Sequence, residues 1–179
     1  MKIRQVITGT DQEGISRVFF DGTARRNVIL DSMPGFASAL LGTTASMPAI
    51  GRGEPADTTV HATYLPSLGE TRLLVVTMPP DTVMMRADFD AMAFGAEFGQ
   101  KLPDFAATFD PASPGMHTTD TIDYAVVLEG EIVLELDNAQ RIPLRRNEIA
   151  VQNGNRHAWR NPGDVTAVML FVLIGARRT

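Results

Sequence analysis

The sequence predicts an all-β domain, a sandwich or barrel of short, mostly antiparallel strands, and three observations carry that expectation. Short β-type runs recur along the chain at about the 8–12-residue spacing of such folds, separated by segments rich in Gly, Pro, Asn and Asp. Between Glu131 and Asp137, Ile132, Leu134 and Leu136 alternate with Glu131, Val133, Glu135 and Asp137. That is a period of two, with one apolar face and one largely acidic face left to solvent. The most apolar stretch, Thr166 to Ala176, falls well short of the ~20 residues that span a bilayer and reads as a buried strand.

Composition sets the outer limits. A chain of 179 residues with 44% apolar residues can bury one sizeable core. A formal net charge of −5 argues against nucleic acid and gives no support for an anionic membrane surface as partner. The absence of cysteine excludes disulfides, zinc–thiolate and iron–sulfur sites, so any metal needs His, carboxylate or water ligands. The stretch Met1-Lys2-Ile3-Arg4-Gln5-Val6 lacks the long apolar run of a signal peptide, and the expectation is a cytoplasmic protein.

In order, Ile3 to Thr8 and Ile15 to Phe20 are β-type runs joined by a turn-rich segment, and Val28 to Leu30 is a third. Residues 33–69, rich in Gly, Pro, Ser and Thr, read as a long connection wrapped over a barrel, with one strand near Ala39 to Thr43. His61 lies in this connection and reads as a surface residue. Thr71 to Thr77 is a strand stopped by Pro79-Pro80. Phe89, Met92, Ala93, Ala96 and Phe98 follow a helical spacing, which places one helix within residues 88–102, ended by Pro103. Met84, Met85 and Met92 read as gap fillers in the core. From Thr121 onward the strand signal strengthens, with Asp120 capping the turn before it, and strands at Arg141 to Leu144, Glu148 to Gln152 and Arg156 to Arg160 follow.

The scarce residues are concentrated. Two of the three histidines, His117 and His157, and the single tryptophan, Trp159, fall between Met116 and Asn161. That stretch contains Met116-His117-Thr118-Thr119-Asp120-Thr121-Ile122-Asp123-Tyr124, a Leu128-Glu129-Gly130 turn and Gly154-Asn155-Arg156-His157-Ala158-Trp159-Arg160-Asn161. It resembles the two-part motif of the cupins, Gly-x5-His-x-His-x3,4-Glu-x6-Gly followed by Gly-x5-Pro-x-Gly-x2-His-x3-Asn. His117 matches the first histidine, Gly130 the closing glycine, and Gly154-x2-His157-x3-Asn161 every named position of the second tail. The subset of small cupins with Thr-Asp-Thr-Ile-Asp-Tyr and His-Ala-Trp is closer still. Three departures stand out: Thr119 in place of the second histidine, Asp123 in place of the glutamate, and Gln152 in place of the proline, with Asn147 where the turn glycine belongs. The resemblance spans about residues 110–176 and implies a jelly-roll barrel. One cupin domain over 1–179 is expected, with N-terminal strands and connection in 1–110 and the motif-bearing half in 111–176. Cupins commonly pair, and the N-terminal strand edges need cover, so a homodimer is expected.

Strand parity puts His117 and Thr119, His157 and Trp159, and Asp123, Ala125 and Val127 on inward faces, with Tyr124 outward. Mapped onto the family, His117, Asp123 and His157 converge as the catalytic residues. As ligands of a divalent metal (Fe, Zn, Mn or Ni) they would form a two-histidine, one-carboxylate set. Thr119, Ala125, Val127 and Trp159 are expected to line a substrate pocket, with small Ala125 and Val127 leaving space. No organic cofactor is expected. Three readings stay open. One is a metal-dependent enzyme for elimination, isomerisation, decarboxylation or oxygenation, thus a lyase, isomerase or oxygenase. Another is a metal-free dehydratase or isomerase using His/Asp acid–base chemistry on a small organic substrate. The last is a non-catalytic small-ligand sensor.

Overall fold

A computed structural model describes residues 2–179. Eleven strands run in chain order. They are β1 (Arg4–Thr10), β2 (Ser16–Thr23), β3 (Arg26–Ile29), β4 (Ala37–Thr44), β5 (Thr71–Met78), β6 (Thr121–Glu129), β7 (Glu131–Glu135), β8 (Arg141–Arg145), β9 (Ile149–Asn153), β10 (Ala158–Arg160) and β11 (Ala167–Gly175). Helices α1 (Ala91–Lys101) and α2 (Pro103–Ala106) stand between β5 and β6. Six strands form one antiparallel sheet in the order β3-β4-β5-β11-β6-β9, and three form a second, β10-β7-β8.

The two sheets close on one core and make the jelly-roll barrel. Leu40, Leu74, Ala125, Val127, Ala167, Met169 and Phe171 from the large sheet meet Ile132, Leu134 and Leu144 from the small one. The expected alternation is realised in β7, where Ile132 and Leu134 are buried and Glu131 exposed. It is strictest in β11, where every second residue from Ala167 to Gly175 is buried. The β1–β2 hairpin is a separate two-stranded sheet, tied to β4 by the Gln5 side chain on the Leu41 carbonyl.

Two close turns fix the barrel's corners. Gly130 joins β6 to β7 at φ 74°, and a Cβ there would lie 3.2 Å from the Ala167 backbone. Only glycine takes that conformation and that approach together. Asn147 sits at φ 69°, so the residue in the turn-glycine place adopts the left-handed conformation that asparagine tolerates better than most.

The connection before β5 is pinned over one end of the barrel. Arg26 bonds the carbonyls of Thr59 and Ala62, Arg72 Nε donates to Thr63 O at 2.7 Å, and Asp104 accepts from the Leu65 amide at 2.8 Å. Beyond it, a Cβ on Gly175 would lie 1.9 Å from the Ser67 carbonyl oxygen, so the strap rests on β11 where no side chain fits.

The helix expected in 88–102 is α1. Asp90 caps it by accepting from the amides of Met92 and Ala93. Pro103 occupies the first turn of α2, a place its missing N–H suits. Glu97 on α1 accepts from Lys101, from the Ser32 hydroxyl and from the amides of Asp31 and Ser32, which together hold its carboxyl down at about 2. The reading of Met84, Met85 and Met92 as core fillers is corrected: all three are exposed, two in a surface turn of 3-10 helix and one on the outer side of α1.

Candidate functional site

His117 and His157 are brought together by main chain. Each backbone amide donates to the other residue's carbonyl, His117 N to His157 O at 2.8 Å and the reverse at 3.0 Å. Residues paired in this way present their side chains on one face. The two imidazole centroids are 4.2 Å apart. The same geometry recurs at each ring: His117 Nδ1 lies 3.1 Å from Gly115 O, and His157 Nδ1 lies 3.0 Å from Asn155 O. A carbonyl only accepts, so each Nδ1 carries the hydrogen and each Nε2 carries the lone pair. Neither Nε2 has a protein partner among the described residues.

An aromatic sleeve surrounds the pair. Phe109 stacks at 4.8 Å and Phe105 at 5.5 Å from His117, while Trp159 meets His157 edge-on at 6.0 Å and passes the contact to Phe171. Phe98 on α1 packs against Phe109, so the helix fixes this wall. Burial, and then the neighbouring His157, push the His117 pKa down to about 4 against the Gly115 bond; burial also lowers that of His157. Both rings are therefore neutral bases across the neutral range.

The inward face of β6 changes character along its length. Thr121, Asp123, Ala125 and Val127 are buried in alternation with Ile122, Tyr124 and Val126, and Tyr124 faces solvent as expected. Thr119 and Thr121 share a hydroxyl–hydroxyl bond of 2.7 Å. Burial raises the Asp123 pKa to about 6, with the Thr121 hydroxyl opposing. Opposite Asp123 in the β6–β9 register stands Gln152, 3% exposed. Among the described residues, Asp123 Oδ1 and both polar atoms of Gln152 have no hydrogen-bond partner. Each buried group left so costs about 1–3 kcal/mol, which marks the spot as built for something other than stability.

The expected site is therefore assembled in part. His117 and His157 meet. Asp123 does not join them, for among the described residues no three His, Asp or Glu side chains are grouped to hold one ion. Its carboxyl faces Gln152 one strand over. Thr119 lines a cavity of about 270 Å³ at the barrel mouth with Thr118, Thr121, Thr108, Leu65 and Arg178. Ala125 and Val127 leave no space: they are fully buried against their register partners Phe171 and Met169 in the core. Trp159 bridges the histidines to that core. His61 is exposed in a turn of the connection.

Sequence reasoning missed Phe105, Phe109 and Gln152. Phe109 carried no motif, because its place beside His117 comes from an isolated bridge and not from a regular strand. Gln152 was legible only as a departure from a motif proline.

Among curated proteins, the chain is 46% identical over 63 residues to a phomopsin biosynthesis cluster protein C' of Diaporthe leptostromiformis, covering 35% of this chain and 33% of that protein. It is 32% identical over 65 residues to the cupin-domain-containing oxidoreductase virC of Hypocrea virens, 35% of this chain and 34% of that one. The matches thus span about a third of these relatives' length. Among solved structures, the cupin domain of Cnp3 from Schizosaccharomyces pombe aligns over 98% of this chain and 89% of its own, at 13% identity and a TM-score of 0.46. No family model matches the chain. No helix among the described residues is long and apolar enough to cross a membrane.

Proposed function

From the premise that this chain is a member of the cupin superfamily, we propose that it is an enzyme moving protons on a small organic substrate at the mouth of its barrel, an isomerase or dehydratase in reaction type. The observation that carries this is the buried imidazole pair, 4.2 Å apart, with both Nε2 lone pairs free of partners among the described residues.

The chemistry follows from an inverted proton order. In water an imidazole holds its proton more tightly than a carboxyl. Here burial raises Asp123 to about 6 and lowers His117 to about 4, so between those values the carboxyl keeps its proton while the imidazole is a free base. Pairs of groups whose environments push their pKa values apart supply an acid and a base in one site. His117 or His157 Nε2 accepts a proton from a carbon beside a substrate carbonyl, leaving the electron pair as an enolate. Asp123 supplies a proton to another substrate atom, and after product leaves the imidazolium returns its proton to the carboxylate through solvent. If that atom is a neighbouring carbon the product is an isomer; if it is a hydroxyl oxygen, water departs. The phenyl and indole walls keep bulk water from the imidazoles.

A metal centre with three protein ligands does not fit these residues, because the carboxylate stands apart from the two imidazoles. No step is therefore assigned to an ion. The oxidoreductase name of the Hypocrea virens relative supports the competing reading, redox chemistry at the same histidines.

The test is exchange of substrate hydrogen for solvent deuterium, followed by NMR over a panel of enolisable carbonyl compounds, with metal content measured on the same untagged protein. Exchange with at least one compound, lost about a hundredfold or more in both His117→Ala and His157→Ala, is expected, as general-base catalysis contributes about 10²–10⁴-fold. Unchanged exchange in those variants, no exchange across the panel, or stoichiometric metal removed by either substitution would overturn the proposal.

A further inference from the structure

We infer that the barrel interior recognises a neutral carboxamide group, held between Gln152 on β9 and Asp123 on β6. The inference deepens the reading of the barrel as a substrate site and rests on it. It starts from atoms that the fold buries and leaves unused.

Gln152 is 3% exposed and Asp123 is 5% exposed. They are direct partners in the antiparallel register, so their side chains leave the sheet on one face at about 5 Å between Cβ atoms. That face is the inward one, where Ala150 precedes Gln152 and Leu173 flanks Asp123 on the other side. An amide and a carboxylate so placed would ordinarily bond each other. They do not: Asp123 Oδ1, Gln152 Oε1 and Gln152 Nε2 are all without partners among the described residues.

The unused atoms define a complement. Nε2 offers hydrogens and seeks an acceptor, while Oε1 and Oδ1 are acceptors that seek donors. A primary carboxamide supplies one carbonyl oxygen and two N–H groups, which matches all three. A carboxylate brings only acceptors, satisfies Nε2 and sets its charge against two oxygens. An ammonium brings only donors and leaves Nε2 unpaired. A site whose polar groups are left unpaired by the wrong ligand rejects that ligand strongly. The apolar neighbours Ala150 and Leu173 suit a short hydrocarbon chain behind the amide. Thr121, two residues before Asp123 on the same face of β6, lines the mouth cavity with Thr119.

Propionamide and propionate, equal in carbon skeleton, separate the possibilities. The full chain, labelled with ¹⁵N, is titrated with each at mildly alkaline pH while the Gln152 side-chain NH2 signals are followed. Those signals are assigned by their absence in Gln152→Met. Propionamide is expected to shift them saturably and propionate to bind about tenfold more weakly or less. Gln152→Met and Gln152→Glu, the second a near-isostere that trades the donor for an acceptor, are expected to weaken propionamide about tenfold or more, read from the backbone amides of Ala150 and Asp123. Equal binding of propionate, full propionamide affinity in either variant, or Gln152 protons that contact only a bound water and ignore propionamide would overturn the inference. The titration reads binding and not turnover, so absence of hydrogen exchange defeats the proposed function alone.

Discussion

Asp123 and Ala125 leave β6 on the same inward side, two residues apart, yet they stand in different materials. From Ala125 downward the interior is a floor of packed hydrocarbon: Val127, Met169, Phe171, Ile132 and Leu134 fill it with no polar side chain among them. From Asp123 upward the interior is a mouth of Thr121, Thr119, Gln152 and the histidine pair, with hydrogen-bonding atoms left over. The floor is optimised for burial, and the mouth gives stability away. Where a fold breaks its own rule of satisfying buried polar groups, function is the physical reason to look for first.

The comparison is broken most directly by one substitution in each half. Ile132 is fully buried in the floor, and Ile132→Ala should cost about 3–4 kcal/mol, the lost transfer energy plus the cavity left behind. In the mouth, Gln152→Met removes two unpartnered polar atoms and keeps the volume, so it should change stability by less than about 1 kcal/mol or raise it. Urea denaturation of both variants decides. Equal costs would mean that the mouth is packed as the floor is.

A pH series sharpens the same contrast. The Asp123 carboxyl is raised by burial to about 6 from an ordinary value near 4. Between those values the folded chain holds a proton that the unfolded chain has released, so stability falls as pH rises through the window. His117 has the opposite sign. Its folded value of about 4 lies below the unfolded one, so between about 4 and 6.5 the unfolded chain holds the extra proton and stability rises with pH. In the wild type the two slopes largely cancel from about pH 4 to 6. Asp123→Asn removes only the first. Relative to wild type, its unfolding free energy should climb by on the order of 2–3 kcal/mol between pH 4 and 7. A difference that stays flat would show that Asp123 is not buried as a free carboxyl. Surface carboxylates such as Glu97 drop out because both proteins share them.

How far the sequence reached follows the same division. The floor was legible because packing writes a period of two into the chain, as in β7 and in the buried alternation of β11. The barrel type was legible through glycines and histidines at fixed spacing, and the left-handed Asn147 shows that a departure in one letter kept the backbone shape. Strand parity placed Asp123 inward but could not say which strand would face it. The pairing of Asp123 with Gln152 is a register between segments 29 positions apart, and no local pattern encodes it. The aromatic sleeve escaped because no motif marks it: Phe105 on α2 and Phe109 just after it reach His117 with Phe98 of α1 behind them, and α1 is docked by Glu97 on the turn at Ser32, 65 positions away. Ala125 and Val127 were expected to leave room because they are small. Whether a small residue leaves room depends on its neighbour across the sheet, and here Phe171 and Met169 fill it.

The smallest expected effect belongs to His61, the one histidine outside both halves. It is exposed in the turn that ends the Thr58-to-His61 segment of the connection. The backbone around it is held without its help: Asp57 accepts from the Thr59 amide at 3.0 Å, and Arg26 bonds the Thr59 and Ala62 carbonyls on either side. The neighbouring anchors, Arg72 on Thr63 and Asp104 on Leu65, also use main-chain atoms. An imidazole that neither holds the strap nor reaches the mouth should be dispensable. His61→Ala should therefore shift stability by less than about 0.5 kcal/mol and change propionamide affinity by less than about twofold. The same titration and urea series measure both. A tenfold loss of affinity would mean that the strap closes over the mouth in the liganded protein and carries His61 with it, making the connection part of the site instead of its frame.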